Sequence, residues 1–250
     1  MKLILKQTTN GMCFQMLGSS SKTNLSHAKN KSVKILSNGK NYPAYVAAPK
    51  TDKLAPAIVL IHSFKGLEEG YKVVSNKLAA EGFVVIAPEW QTFNQEPDDD
   101  VVKSLVSDCV SYLKRRNDVE IGKLGLLGFC AGGRFTMLLT PQMPEFKAAV
   151  PFYGFPYGKG FANQFAPAEF VKQLNVPILI IHGTRDQASN IQDIYKYATT
   201  LDLESKYFEM KIYQGQPHGF MIKEDGELSQ SFSAEDAFWQ MLNFFKRTLK

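Results

Sequence analysis

Short runs, most of them largely apolar, recur along this chain with amphipathic helical stretches between them, and that succession most constrains its fold. AIVLIH at 57–62, FVVIAP at 83–88, KLGLLG at 123–128, FKAAVPFY at 146–153, VPILIIHG at 176–183 and KYFEMKIY at 206–213 are the runs. Strands that are apolar on both faces belong to a sheet covered on both sides. Residues 71–81, 99–116, 131–139, 190–203 and 233–248 read as helices, the first stopped by Gly82. Strands alternating with helices give βαβ units with right-handed crossovers, hence an α/β fold on a mostly parallel, twisted sheet with helices on both faces. Two further strands precede this series, SVKIL at 32–36 and YPAYVAAP at 42–49, joined by the turn Ser37-Asn38-Gly39-Lys40. No internal repeat and no second core is visible, so residues 32–250 are expected to form a single domain.

Residues 1–31 read differently. GSSSKTNLSHAKNK at 18–31 is polar and lacks an apolar period, which predicts a polar, basic leader. Residues 1–53 carry nine Lys, no Arg and only Asp52 as an acid, while the remainder is slightly acidic. The scattered lysines favour solvated, edge-guarding positions over a nucleic-acid partner. No run approaches ~20 apolar residues, so no membrane span is expected. The apolar start is too short for a secretory signal. Cys13, Cys109 and Cys130 are odd in number and far apart. They make neither a disulfide framework nor a CxxC metal site, which predicts a cytoplasmic, reduced protein; separately, a monomer or homodimer without cofactor is expected.

In open α/β sheets the ligand crevice lies beyond the carboxyl ends of the strands. KLGLLG runs there into Gly128-Phe129-Cys130-Ala131-Gly132-Gly133 and a helix. This is a nucleophile elbow with Cys in place of Ser. The sharp turn exposes the sulfur at a helix N-terminus, where the dipole favours a thiolate, the reactive form. Cys109 falls on the apolar face of its helix and reads as a small core residue. Cys13 lies in the leader and takes no role.

Asp186 follows VPILIIHG in the turn Gly183-Thr184-Arg185-Asp186, and His218 follows KYFEMKIY in Gln216-Pro217-His218-Gly219-Phe220. The chain order of nucleophile, acid and His is the α/β-hydrolase order. His218 is placed to take the thiol proton and return it to a leaving group; Asp186 would fix its tautomer. Alone, each would be an ordinary loop residue; their order on successive strand ends makes the case. His62 and His182 also end strands and are expected to make structural hydrogen bonds, while His27 lies in the leader. An oxyanion needs preorganised N–H donors. The candidates are the backbone of Ala131 and of Phe64 in His62-Ser63-Phe64-Lys65-Gly66, with Ser63 as the alternative to Phe64.

With GFCAGG, the Asp186 turn, PHGF and HSFKGLEEG in place, the chain resembles the dienelactone hydrolase (carboxymethylenebutenolidase) family from about residue 40 to its end. The resemblance implies an α/β-hydrolase fold without a large cap, a Cys130–His218–Asp186 triad, no metal, and hydrolysis of small esters, thioesters or lactones. Three positions depart from the family. Ser63 stands where its dienelactone hydrolases carry a Glu that helps ionise the Cys. PEWQTFNQ, the loop after the fourth strand, lacks their substrate-gripping Arg. Four residues past His218 stands Ile222, not a second Arg, with Lys223 next. The triad therefore carries over and the carboxylate grip does not, which predicts neutral esters as better substrates than a dienelactone carboxylate.

Phe152, Tyr153, Phe155, Tyr157, Phe161 and Phe165 crowd the segment after the sixth strand and suit an apolar or aryl acyl group, though some must simply pack the loop. Ser63, Trp90, Tyr153, Phe155 and Phe220 are the candidate pocket residues. Two other readings compete with the hydrolase. An acyltransferase using the same thioester intermediate would need a water-excluding cap, and none is visible. A non-catalytic binding protein of the same fold would not need an intact triad.

Overall fold

Asn38 and Gly39 take positive φ, +47° and +74°, and close a two-residue hairpin between β1 (Ala28–Ser37) and β2 (Lys40–Pro49). Positive φ at both central residues matches the twist of the flanking strands. The computed structural model describes residues 25–161 and 164–249. Cys13 and most of the expected leader lie outside them. β1 begins at Ala28, four residues earlier than its apolar signal. Lys29, Asn30 and Lys31 are exposed, and their pairing to Val46–Ala48 is carried by backbone alone. Lysines on such an edge discourage pairing with another chain.

The other strands are β3 (Ala55–Ile61), β4 (Val84–Pro88), β5 (Val119–Phe129), β6 (Phe146–Phe152), β7 (Ile178–Gly183) and β8 (Phe208–Tyr213). They form one eight-stranded sheet in the order β1-β2-β4-β3-β5-β6-β7-β8. β1, β2 and β4 pair antiparallel and every other neighbouring pair is parallel. This is the α/β-hydrolase arrangement.

Helices α1 (Glu69–Ala80), α2 (Asp99–Lys114), α3 (Ala131–Leu139), α4 (Ile191–Leu203) and α5 (Phe232–Leu249) match the amphipathic stretches closely. All seven residues of β3 are buried. Val59 and Ile61 pack toward α2 and α3, and Ile58 and Leu60 toward α1 and α5. Burying each such side chain contributes about 1.5–3 kcal/mol, which explains the unbroken apolar runs. α4 covers β6 and β7 on the α3 side through Ile194, Tyr197 and Leu201. Cys109 is fully buried among the α2 contacts, and burial pushes its thiol far above the usual range. No helix among the described residues is long and apolar enough to cross a membrane.

The consequence for function lies at one edge. Residues 62–68 follow β3, Cys130 follows β5, Tyr153 follows β6, Asp186 follows β7 and His218 follows β8. Parallel strands deliver all five to the same side of the sheet.

Candidate active site

Cys130 sits between β5 and α3 with φ +58° and ψ −117°. A non-glycine residue rests there only when its surroundings hold it, at a cost of order 1–3 kcal/mol. The holding is visible. The Cys130 N–H donates to Phe152 O at 3.1 Å, and its carbonyl accepts from Arg134 N at 3.0 Å. A Cβ on Gly128 would strike the Gly132 carbonyl, and one on Gly132 would strike the backbone of Ile61 and His62. The elbow glycines are therefore required by close backbone approach, as the sequence pattern suggests.

Asp186 is buried and fully engaged. Oδ1 accepts from Ala188 N at 2.9 Å and Ser189 N at 2.7 Å, and Oδ2 meets His218 Nδ1 at 2.7 Å. Burial works against its charge, yet the bonds from His218 and Ser189 hold the carboxyl below its usual range. His218 responds in the opposite sense. Burial lowers it, but hydrogen bonding to Asp186 and the interaction with Cys130 outweigh that and raise it to about 9. Its Nε2 is buried with no closed hydrogen bond among the described residues. Cys130 and His218 line one common cavity.

His62 and His182 are structural neighbours of the site. His62 Nδ1 meets Ser63 O at 2.7 Å, and burial lowers its pKa to about 4. His182 Nε2 meets Ser189 O at 2.9 Å, and burial lowers that imidazole too. The amides of Phe64 and Ala131 find no acceptor among the described residues. Both residues line a cavity together with Cys130.

Two cavities meet at Cys130. One, of about 260 Å³, is the more polar of the two although apolar surface still dominates it; Ser63, Lys65, Glu68, Tyr71, Tyr153, His218 and Lys223 are among its walls. The other, of about 300 Å³, is lined by Phe64, Ala131, Arg134, Phe135, Phe155 and Phe161. Of the aromatic run, Phe155 and Phe161 reach the apolar cavity and Tyr153 the polar one. Phe152 is core, Tyr157 packs beneath Lys196, and Phe165 lies against Phe170. Trp90 and Phe220 wall neither cavity. Trp90 stacks on His62 and donates to its carbonyl at 3.2 Å, and Phe220 packs behind Tyr153. Both are large enough to serve as backing for the layer that does face the cavities.

Two residues escaped the sequence reading. Glu68 enters the polar cavity and accepts a long, 3.5 Å hydrogen bond from Ser63 Oγ. Its position two residues past Gly66 gave no hint that the loop folds back. Arg134 is the second. It is the charged member of α3, a helix whose nine residues are all buried, and a buried charge in such a run is a readable sign. Its guanidinium holds Asp99 through bonds of 2.7 and 2.8 Å, Gly158 O at 2.7 Å and Phe165 O at 2.9 Å. It thereby ties the aromatic loop to the helix that follows Cys130. Arg134→Met is expected to destabilise the fold by about 3–5 kcal/mol, because Asp99 is left buried and unpaired. Urea unfolding checks this; a loss below about 1 kcal/mol would mean that the loop is held by other contacts.

The sequence profile of the dienelactone hydrolase family matches residues 42–100 and 90–249. A protein of Escherichia coli strain K12 named "Putative carboxymethylenebutenolidase" is 30% identical over 234 residues, covering 85% of each chain. Among solved structures, "Crystal Structure of Putative Dienelactone Hydrolase from Klebsiella pneumoniae subsp. pneumoniae MGH 78578" aligns with a TM-score of 0.80 at 26% identity, covering 88% of this chain and 99% of that one. The dienelactone hydrolase-like promiscuous phosphotriesterase P91 from metagenomic libraries aligns at 0.76 with 16% identity, covering 90% and 100%, a likeness of fold alone.

Proposed function

Since the chain belongs to the dienelactone hydrolase family of hydrolases, we propose that it hydrolyses small neutral carboxylic esters, thioesters or lactones through an acyl-enzyme on Cys130. The observation that carries this reading is the Asp186–His218 bond of 2.7 Å beside an elbow cysteine whose glycines cannot be replaced.

The thiolate of Cys130 attacks the ester carbonyl. The oxygen becomes an anion and is met by the amides of Phe64 and Ala131, whose hydrogens have no other acceptor among the described residues. The acyl carbon–oxygen bond then breaks, and the imidazolium of His218 gives its proton to the departing alkoxide. A water surrenders a proton to the neutral imidazole and attacks the thioester; the thiolate leaves and the imidazolium is restored. Asp186 keeps its charge throughout, holds the ring by Nδ1 and stabilises the cation. The half-buried Cys130 is reachable from both cavities, whereas buried Cys109 is not.

Neutrality of the substrate rests on the missing cation grip. Lys223, the residue nearest in sequence to the absent Arg, is held by Asp225 at 2.9 Å, and Glu68 shares the cavity with it. Wild type is expected to favour a short neutral aryl ester over a dienelactone carboxylate by roughly ten- to a hundredfold in kcat/KM, the value of one missing charge-assisted contact. Side-by-side kinetics in wild type, Lys65→Ala and Lys223→Ala test this. A wild-type preference for the anionic lactone that either alanine erases would contradict it.

A further inference from the structure

We propose that the two cavities sort the ester by polarity: the apolar one takes the acyl group, and the polar one takes a hydroxyl-bearing, uncharged leaving alcohol that Tyr153 helps to recognise. This assignment rests on the acyl-enzyme reading above and adds the direction in which the substrate lies.

The direction follows from where the proton is. The bond that breaks frees an alkoxide, and only a group within hydrogen-bond reach of His218 Nε2, about 3 Å, can receive its proton. The alcohol must therefore enter the cavity that His218 lines. That is the polar cavity, shared with Cys130, Ser63 and Tyr153. The other cavity lacks His218 but holds Ala131 and Phe64, the amide donors, followed by Phe155, Phe135 and Phe161. The acyl carbon chain extends into it. Phe64 and Cys130 wall both spaces. Each cavity is at or below the low end of the ligand-pocket range, roughly 300–1,000 Å³, which limits both halves of the substrate to small groups.

The chemistry of the alcohol follows from the walls. The walls carry two lysines, Lys65 and Lys223, and two glutamates, Glu68 and Glu224, so their formal charges cancel and favour no ionic group. Hydroxyls, which both donate and accept, suit such a lining.

Tyr153 supplies the independent observation. It is 1% exposed, and its Oη is buried without a hydrogen-bond partner among the described residues. It also has φ +37°, left-handed for a bulky residue. An unpartnered buried hydroxyl costs about 1–3 kcal/mol, and the backbone adds strain of similar order. A phenylalanine would remove the first cost, so the hydroxyl calls for a role. Its ring packs edge-on to His218 with centroids 5.0 Å apart, and both residues wall the cavity assigned to the alcohol.

Two isomeric esters test this, 2,3-dihydroxypropyl benzoate and benzyl 2,3-dihydroxypropanoate, which exchange the same groups across the ester bond. Each kcat/KM is normalised to that ester's hydroxide-catalysed rate. The benzoate is expected to lead by at least about tenfold. Wild type should also prefer it to propyl benzoate, and Tyr153→Phe should shrink that ratio by about two- to tenfold, the value of one neutral hydrogen bond. Quenched samples are examined by mass spectrometry for the acyl group on Cys130. No turnover, or turnover with no adduct from either ester, overturns the acyl-enzyme reading and the assignment with it. Adducts from both esters, with the benzyl ester equal or faster, overturn the assignment alone. A ratio unmoved by Tyr153→Phe overturns the role of Tyr153.

Discussion

Cys130→Ala is expected to cut kcat/KM for p-nitrophenyl acetate by at least about 10⁴-fold, because the proposed acyl intermediate forms on its sulfur. The fold should survive, since the elbow is set by Gly128 and Gly132 and by backbone bonds to Phe152 and Arg134, none of which needs the sulfur. Circular dichroism and the urea midpoint of the variant should match wild type. Cys109→Ala provides the contrast. Its side chain is wholly buried beneath α2, so activity should be nearly unchanged while stability falls by roughly 1 kcal/mol through the small cavity left. Retention of more than a tenth of wild-type kcat/KM by Cys130→Ala would mean that the chemistry lies elsewhere.

The second large effect is expected at Asp186. In Asp186→Asn the imidazole loses its strongest hydrogen bond and a neighbouring charge, so kcat should fall by about 10³–10⁴-fold. The pH profile should move as well, and its direction is fixed. In wild type His218 is raised to about 9 despite burial, through Asp186 and Cys130. The imidazolium must be present to protonate the leaving group, so kcat/KM should hold toward alkaline pH and decline through about pH 9. Removing Asp186 removes a cause of the raised value and leaves the burial that lowers it. The declining limb should therefore shift to lower pH. A profile of Asp186→Asn with an unmoved alkaline limb would show that Asp186 does not govern the protonation of His218.

The sheet was legible because its central strands are buried on both faces over most of their length and so read as largely apolar runs; β3 and β4 contain no polar residue at all. β1 was legible only from its middle, since Lys29, Asn30 and Lys31 pair through backbone and leave no apolar trace. At the site, Cys130, Asp186 and His218 could be found because each follows a strand within a few residues, and strand ends are where a parallel sheet gathers them. The cavity walls were harder. Whether an aromatic residue faces substrate or core depends on loop geometry, which has no period. Trp90 and Phe220 thus pack behind the site while Phe161 reaches it. Glu68 entered unannounced for the same reason. Tyr153 is legible as an aromatic next to a strand end, but its left-handed backbone and its unpartnered hydroxyl are properties of the fold around it.

The central claim is a thioester on Cys130, and the most direct measurement is a rapid-quench reaction with p-nitrophenyl acetate followed by peptide mass mapping. A burst of p-nitrophenol close to one equivalent per enzyme, with acetyl carried by the peptide that contains Cys130 and lost as turnover proceeds, is the predicted result. Sustained turnover with no acetylated Cys130 peptide at any quench time, or with acetyl on another residue, would contradict it.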